Sequence, residues 1–403
     1  MDSVERTSVT DPAGLSPPRL IQLVARFRPD ADGVGETALR VADVLRKDYG
    51  IASDFLVYNP PRADCVLEIP GEFPHTVENL GGGAAAALNA ALDRFLASPP
   101  SPVLLLHYSS YGFSGHGTPL WLPGTLERFT ARGGRLITLF HELYALPRFP
   151  SRTFFTSWLQ RRIFRRTLAA SQAAFTSNED FVAVAGRDNG RNRPIGLIGI
   201  CSSAGEPEQP PPLRGRTRRI AVFGRFATRR RLYALHLGQL QRLAEHLGVE
   251  EIADMGAVED EAWMRENVAR PLGPLLRAYG ALAVPEASRI FEDSIAGTLA
   301  YSSHLLGKSS VAAAYQAHAA AIVLFPEEWQ TRPQQTGGWI LSAEDLLALP
   351  ARSDALFDRL QKAASEAHTH YNTSRSARCM AQTLLPALGL PANAPGRTAG
   401  EAR

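Results

Sequence analysis

One stretch decides the fold class: FEDSIAGTLAYSSHLLGKSSVAAAYQAHAAAIVLF, residues 291–325. Its pattern predicts a short strand, a loop, an alanine-rich helix and a buried apolar strand. The loop before the helix ends in four residues: Gly307, Lys308, Ser309 and Ser310. Small residues in the first turn leave backbone N–H groups open, and these groups and the helix dipole together favour a phosphate. The stretch therefore predicts a strand–helix–strand unit with an anion site where the helix begins.

The same alternation of strands and helices runs along most of the chain. Near-continuous apolar runs predict strands that are buried on both faces. In the first half these runs are Leu20–Phe27, Ile51–Tyr58, Val103–Tyr108, Arg135–Phe140 and Ala173–Thr176. In the second half they are Ile220–Gly224, Ile252–Met255, Ala281–Val284, Ala296–Tyr301 and Ala321–Phe325. This pattern predicts an α/β protein with two doubly wound, Rossmann-like domains.

Changes in composition suggest where the domains begin and end. Residues 1–18 are polar and contain proline, which predicts a disordered lead-in rather than a signal peptide. Residues 206–218 are rich in Pro, Gly and Arg and have no apolar period, which favours an interdomain linker. We therefore expect a first domain at 19–205, a second at 219–373, and a helix with a loose tail at 374–403.

Overall composition excludes several classes of protein. Hydrophobic residues make up 45% of the 403-residue chain and charged residues 21%, as in ordinary globular proteins, and the net charge of +3 is too small to argue for nucleic acid. No apolar run approaches the roughly 20 residues of a membrane span. The three cysteines are widely spaced and suggest neither disulfides nor a zinc site. A reducing, cytoplasmic location is expected.

Several motifs, in order, resemble the retaining family-4 glycosyltransferases of the GT-B fold. The matching segments are DGVGE (32–36), LLLHYSSYGF (104–113), ITLFHELYA (137–145), AAFTSNEDF (173–181) and VFGRFATRRR (222–231). The resemblance covers nearly all of the chain between about Arg19 and Leu388. It implies two domains with a cleft between them, a nucleotide-sugar donor, retention of anomeric configuration, and no essential metal or cofactor.

Candidate residues in the first domain follow predicted strands or precede the first helix. His141 comes directly after the strand 135–140, at a carboxyl end that faces the ligand crevice in open α/β sheets. The resemblance implies that it lies beside the donor sugar; a structural histidine is the alternative. His107, Gly33 and Gly35 are acceptor-side candidates, with local packing or a plain tight turn as alternatives. The third glycine of a dinucleotide fingerprint is absent, since Ala38 stands there.

Basic residues open the second domain. Arg225 follows the strand 220–224, and the resemblance implies that it neutralises the donor diphosphate together with Arg230 or Arg231. Arginine suits this role because its planar fork binds two phosphate oxygens at once, and the departing diphosphate needs its charge stabilised. We predict a loop at 226–231 that carries these side chains. A solvated basic loop without a ligand is the alternative.

The chain departs from the family at its strongest motif. Two glutamates eight residues apart are expected, and alignment of the helix places Lys308 and Gln316 there. Gln316 can still bond a ribose hydroxyl, more weakly than a carboxylate. Lys308 reverses the charge, which suits an acidic donor sugar, a further phosphate contact with Ser309 and Ser310, or a protein without turnover; a lysine that caps a solvated loop is the bland alternative. A P-loop is disfavoured because Ser302 stands where its upstream glycine is required.

A basic segment, RTFFTSWLQRRIFRR (152–166), interleaves bulky apolar residues with arginines. Such a helix could contact an anionic membrane at the inner face of the cytoplasmic membrane, where a lipid-linked acceptor would lie. The alternative is an ordinary helix whose apolar stripe packs on the first sheet.

The leading expectation is a glycosyltransferase that moves a sugar from a nucleotide sugar to a carbohydrate, lipid-linked or small-molecule acceptor in the interdomain cleft. His141 and Lys308 are the predicted catalytic residues. The donor-side residues are Arg225, Arg230, Arg231, Ser309, Ser310 and Gln316. The alternatives are a degenerate binding or scaffold protein, which the loss of both glutamates favours, and an epimerase of the same fold.

Overall fold

A computed structural model describes residues 19–27, 33–59, 75–81, 85–144, 152–188, 194–327 and 338–391. Both ends of the chain that were predicted to be a lead-in and a loose tail lie largely outside these ranges. Asp32 and Ala145, at the edges of two of the motifs, lie outside them as well.

The first half of the chain forms a parallel sheet with the order β3-β2-β1-β4-β5-β6-β7. Its strands are β1 Leu20–Val24, β2 Ser53–Val57, β3 Thr76–Asn79, β4 Val103–Tyr108, β5 Arg135–Phe140, β6 Ala173–Thr176 and β7 Gly196–Leu197. Its helices are α1 Gly33–Tyr49, α2 Ala85–Leu96, α3 Ser110–Phe113, α4 Trp121–Ala131, α5 Arg152–Ala170 and α6 Glu179–Asp188.

The second half forms another parallel sheet, with the order β10-β9-β8-β11-β12-β13. Its strands are β8 Arg219–Phe223, β9 Glu251–Met255, β10 Leu276–Gly280, β11 Ala296–Ala300, β12 Ala321–Phe325 and β13 Ile340–Ser342. Its helices are α7 Phe226–Leu247, α8 Glu261–Met264, α9 Arg270–Leu272, α10 Val284–Glu292, α11 Ser310–Ala317, α12 Ala343–Leu347, α13 Asp354–Ser374 and α14 Ala377–Leu388.

Each sheet is covered on both faces, as parallel strands require. In the first sheet, Leu23 packs in a cluster with Leu88 of α2, whereas the neighbouring Val24 packs with Ala38 of α1 on the other face. Adjacent residues of a strand point to opposite faces, so one apolar strand serves two cores. The prediction of an α/β protein with two Rossmann-like parallel sheets is confirmed.

Two local predictions were wrong. The residues predicted as a loop, 226–231, form the first turns of α7, which begins after Arg225. The run 281–284 is not a strand, because β10 has already ended at Gly280 and α10 begins at Val284. The segment predicted as an interdomain linker, 206–218, makes ordered contacts: Leu213 is buried, and Arg216 donates to the carbonyl oxygens of Pro211 and Ser294. Its role as a linker stays a prediction.

The chain divides into two compact units. The second unit is the continuous segment Ile198–Met380, and the first comprises the residues up to Leu197 together with those from Ala381 onward. The boundary therefore lies several residues before the predicted linker, and α14 begins in one unit and ends in the other.

Candidate functional site

Two sheet edges carry the predicted residues, and each is described within its own unit. We call the residues at the carboxyl ends of β1, β4 and β5 the first edge, and those at the carboxyl ends of β8, β11 and β12 the second edge. In parallel sheets these ends collect ligand-binding side chains because all the strands point the same way.

Two histidines come together at the first edge. His107 is the fifth residue of β4, and His141 follows β5, where its backbone N–H donates to the carbonyl oxygen of Tyr108. His107 Nδ1 lies 3.3 Å from His141 Nε2, and the two rings are stacked with an angle of 20° between their planes. The structure thus joins two residues that the sequence analysis assigned to different sides of a reaction.

Both imidazoles are neutral at physiological pH. Burial lowers the pKa of His141 to about 4, because a charged ring loses the solvation of water there. The pKa of His107 lies well below its usual value, first because of burial and second because of the charge that His141 would carry. A neutral imidazole has one N–H donor and one nitrogen acceptor, so this pair can bind hydroxyl groups without adding charge.

The two predicted glycines lie at the start of α1. Gly33 is its first residue, and its carbonyl oxygen accepts a hydrogen bond from Thr37 Oγ1 at 2.8 Å. A Cβ on Gly35 would lie 2.7 Å from the carbonyl oxygen of Arg26. Close contact between the helix and its own preceding strand therefore explains Gly35 without a ligand, and the acceptor-side role stays a prediction.

Arg225 lies at the second edge with its side chain exposed. It is the N-cap residue of α7, and its side chain has no ion pair or hydrogen bond among the described residues. Gly224, just before it, has φ +122°, and a Cβ there would lie 3.0 Å from Val311 Cγ2. The end of β8 thus touches the first turn of α11, so the backbone at Arg225, the next residue along the chain, lies close to a helix start.

The start of α11 has both filled and open donors. Ser309 is the N-cap residue, and its Oγ accepts a hydrogen bond from the backbone N–H of Ala312 at 3.1 Å. The N–H groups of Ser310 and Val311 have no intrahelical acceptor, as at every helix start. Ser309 thus stabilises the helix, and two neighbouring donors remain available.

A carboxylate that the sequence analysis missed lies close to Lys308. The side chain of Glu327, two residues after β12, is fully buried; its Oε1 accepts from Arg231 at 2.5 Å and its Oε2 from the backbone N–H of Ser302 at 3.3 Å. Burial raises the pKa of Glu327, while Arg231, the Ser302 N–H and Lys308 oppose that rise. The acidic run after an apolar strand, FPEE, was the available signal.

Gln316 is buried beside an arginine that the sequence analysis also missed. Its Oε1 accepts a hydrogen bond from Arg375 Nη1 at 2.7 Å, and Arg375 Nη2 donates to the carbonyl oxygens of Gly307 and Ser309. Burial lowers the pKa of Arg375 to about 10. Arg375 therefore ties the loop before α11 to the body of that helix. Whether Gln316 touches a ribose stays a prediction.

Arg229 and Arg230, in the first turns of α7, are bound within the protein. Arg230 lies 3.6 Å from Asp260 and stacks over the Trp263 ring at 4.6 Å. Arg229 is 1% exposed; it pairs with Asp254, and its Nε donates to the carbonyl oxygen of Gly224 at 2.9 Å. These contacts make Arg229 a structural clamp on the second edge, a role that no local sequence signal reveals.

The basic helix α5 favours the packing alternative over a membrane contact. Ile163 and Phe164 are buried in the first core. Arg161 pairs with Asp188, and Arg166 makes two hydrogen bonds to Glu127. Trp158 is 62% exposed. The side chains of residues 152–155 lie outside the described part, and the membrane contact stays a prediction.

The described ranges contain neither a cluster of metal ligands nor a membrane-spanning helix. No three side chains of His, Cys, Asp or Glu come close enough together there to hold a metal ion. None of the helices described is long and apolar enough to cross a membrane.

Comparison with known proteins shows the fold. No family model and no curated protein matches the sequence. The structure of the lipopolysaccharide outer core galactosyltransferase WaaB matches with a TM-score of 0.54 at 9% identity, over 92% of this chain and 99% of that one. The UDP-GlcNAc 2-epimerase from Neisseria meningitidis matches with a TM-score of 0.53 at 10% identity, over the same shares of the two chains. The chain has a GT-B-like fold, which glycosyltransferases and epimerases that use nucleotide sugars share.

Proposed function

We propose that the protein is a glycosyltransferase that moves a sugar from a nucleotide sugar to an acceptor, with retention of anomeric configuration. The donor diphosphate binds at the second edge, where Arg225 and the first N–H groups of α11 meet its oxygens. The observation that supports the proposal is the contact between Gly224 and Val311, because Gly224 directly precedes Arg225, whose exposed side chain has no partner among the described residues.

The chemistry of this edge suits a departing diphosphate. Negative charge develops on the leaving group in the transition state, and preorganised donors stabilise it most where water is excluded. Lys308, one of only three lysines in the sequence, supplies a further positive charge to the sugar or the phosphate. Arg375 donates to the carbonyl oxygens of Gly307 and Ser309 and so holds the loop before α11 in place.

Two nucleotide-sugar reactions, transfer and epimerisation, share the fold. A neutral, partly exposed imidazole such as His141 binds a hydroxyl of the donor sugar and orients it without competing for the diphosphate. The galactosyltransferase among the similar structures and the epimerases both act on sugars of this kind. Release of nucleoside diphosphate only in the presence of an acceptor distinguishes transfer from epimerisation.

The test compares nucleoside diphosphate binding in three variants by isothermal titration calorimetry. We expect Arg225→Ala to weaken binding by about 10- to 100-fold, since a hydrogen bond to a charged group contributes about 1.5–3 kcal/mol. His141→Ala should change it less than about threefold, since that ring contacts the sugar. The exposed Arg242 of α7 provides a matched control, and Arg242→Ala should bind like the wild type. A larger loss in His141→Ala than in Arg225→Ala would contradict the assigned roles.

A degenerate binding protein is the second candidate, and the replacement of the expected glutamates by Lys308 and Gln316 favours it. Under that alternative, a panel of nucleotide sugars binds in a manner that depends on Arg225. No nucleoside diphosphate is then released with any acceptor tested. Single-turnover assays with the best-bound donor decide between the two candidates.

A further inference from the structure

A line of four polar side chains crosses the first sheet. Ser53, Gln22, His107 and His141 belong to the adjacent strands β2, β1 and β4 and to the end of β5. Gln22 Nε2 donates to Ser53 Oγ at 3.0 Å, and Gln22 Oε1 lies 2.9 Å from His107 Nε2. His107 Nδ1 in turn lies 3.3 Å from His141 Nε2. The line is therefore continuous from the start of β2 to the first edge.

Gln22 is unusual for its position. It stands in the strand LIQLV, whose five residues are all buried, and it is itself 0% exposed. A buried amide without partners costs free energy, and this amide uses both its donor and its acceptor within the line. An apolar residue would fill the same space in the core without needing hydrogen-bond partners. We therefore infer that the role of Gln22 depends on its having a donor, Nε2, at one end and an acceptor, Oε1, at the other.

The direction of the amide determines where the protons lie. A carbonyl oxygen only accepts, so His107 Nε2 must carry its proton and donate to Gln22 Oε1. Because the His107 ring is neutral, its Nδ1 then has a lone pair, which accepts a hydrogen bond from His141 Nε2–H. His141 is neutral as well, so its Nδ1 is left as an acceptor.

We propose that Gln22 is a positioning residue, which acts through His107 to hold His141 with an unprotonated Nδ1, ready to accept a hydrogen bond from a ligand hydroxyl. The identification of that hydroxyl as one of a sugar rests on the proposed function. The proton arrangement itself rests only on the side chains of the first unit.

The test measures the tautomers directly in the full-length protein. Nitrogen-15 NMR of histidine-labelled protein separates nitrogens that carry a proton from those with a lone pair, and loss of a signal in His141→Gln assigns that ring among the ten histidines. In the wild type we expect His141 to have a protonated Nε2 and a lone pair on Nδ1. A proton on His141 Nδ1 would overturn the proposal, and no substrate is needed to see it.

Two variants test the role of the line. Gln22→Met keeps most of the volume and removes both polar ends, so we expect His141 to lose its single tautomer. Ser53→Ala frees one end of the amide and should produce a partial loss, which keeps the test possible if Gln22→Met does not fold. Thr138→Val is the matched control, because it removes a different buried hydrogen bond of the same unit, between Thr138 Oγ1 in β5 and Ser171 Oγ at 2.7 Å. An unchanged His141 in both Gln22→Met and Ser53→Ala would overturn the proposal.

Kinetics supply a second reading. With a donor that turns over, kcat/KM should fall about three- to tenfold in Gln22→Met, the effect of one hydrogen bond, and remain within about twofold in Thr138→Val. An equal loss in the two variants would mean general destabilisation and would count against the role of Gln22. If no donor turns over while the tautomers are as expected, the proposed function fails and the proton arrangement stands.

Discussion

The two edges differ in the charge of the polar side chains that they carry. The first edge carries two neutral histidines, because burial lowers the pKa of both rings, and an amide and a hydroxyl inside the sheet continue their line of hydrogen bonds. The second edge is cationic, with Arg225 exposed and with Arg231 and Lys308 near the buried carboxylate of Glu327. The comparison shows one sheet edge suited to hydroxyl groups and another suited to phosphates.

The difference also concerns what holds each edge in shape. Hydrogen bonds between neutral groups determine the first edge, and their net contribution is about 1 kcal/mol each. Buried charges determine the second, where Arg229 and Arg375 bind backbone carbonyl oxygens of the strand-end loops. Loss of one member of a buried ion pair leaves the other uncompensated, so single changes should affect the second edge more strongly.

The largest effect is expected from the clamp at the second edge. Arg229→Met should lower the free energy of unfolding by about 3–5 kcal/mol, because it leaves the buried carboxylate of Asp254 without its partner. Chemical denaturation measures this loss. Arg242→Met, which removes an exposed arginine from the same helix, should leave the midpoint unchanged. A loss below about 1 kcal/mol in Arg229→Met would break the contrast between charged and neutral edges.

The second-largest effect is a pH dependence of the free energy of unfolding, which comes from His141 at the first edge. The pKa of His141 in the folded protein, about 4, lies below that of the unfolded chain, so only the unfolded state takes up its proton between those values. The contribution of His141 to the free energy of unfolding is therefore fully present above about pH 6.5. As the pH falls toward about 4, the free energy of unfolding decreases by roughly 1–3 kcal/mol.

The variant His141→Gln removes this titration. Its free energy of unfolding should depend less on pH between about 6.5 and about 4 than that of the wild type. Urea denaturation at a series of pH values gives both curves. If the free energies of unfolding of the two proteins changed with pH in parallel, His141 would have its ordinary pKa, and its ring would be accessible to water.

The third effect is a salt dependence of nucleoside diphosphate affinity, which we expect from the charges of the second edge. Nucleoside diphosphate affinity should fall by about tenfold between about 0.01 M and about 1 M salt, since the Debye length shortens from about 30 Å to about 3 Å. Titration calorimetry should give His141→Ala the slope of the wild type and Arg225→Ala a smaller one. Equal slopes in all three proteins would place the diphosphate away from Arg225.

The smallest effect concerns the missed carboxylate. Glu327→Gln removes one negative charge beside Arg231 and Lys308, so nucleoside diphosphate affinity at low salt should rise about two- to threefold. Glu344→Gln, at an exposed glutamate of α12, should leave the affinity unchanged. Weaker binding in Glu327→Gln would show that the carboxylate positions Arg231 for the ligand rather than merely reducing the local charge.

The buried parallel strands could be predicted closely. The bounds predicted for β4, β5, β6 and β12 agree with the structure, because an apolar run between two helical patterns is typical of a buried parallel strand. The run 281–284 is apolar as well, but Pro285 suits a first helical turn and Glu286 accepts the Ala283 N–H at 3.1 Å. A short apolar run does not by itself distinguish a strand from a helix start.

The candidate site was predicted only where a residue directly follows a strand. His141 and Arg225 were found by that rule, and both lie at carboxyl ends in the structure. Gln22, Glu327 and Arg375 were missed because their partners are far away in the sequence, as in the 59-residue separation of Arg375 from Gln316. Gln22 could have been singled out from the sequence, because it is a polar residue inside an apolar strand.

The path of the chain through its last helix has a practical consequence for fragments. The segment 198–380 is uninterrupted, so it can be expressed alone with only a few residues of α14 attached. A fragment that stops at residue 197 instead lacks the carbonyl oxygen of Ala387, to which Arg135 donates at 2.7 Å at the start of β5. Splitting the gene at the midpoint would therefore harm the amino-terminal product more than the carboxyl-terminal one.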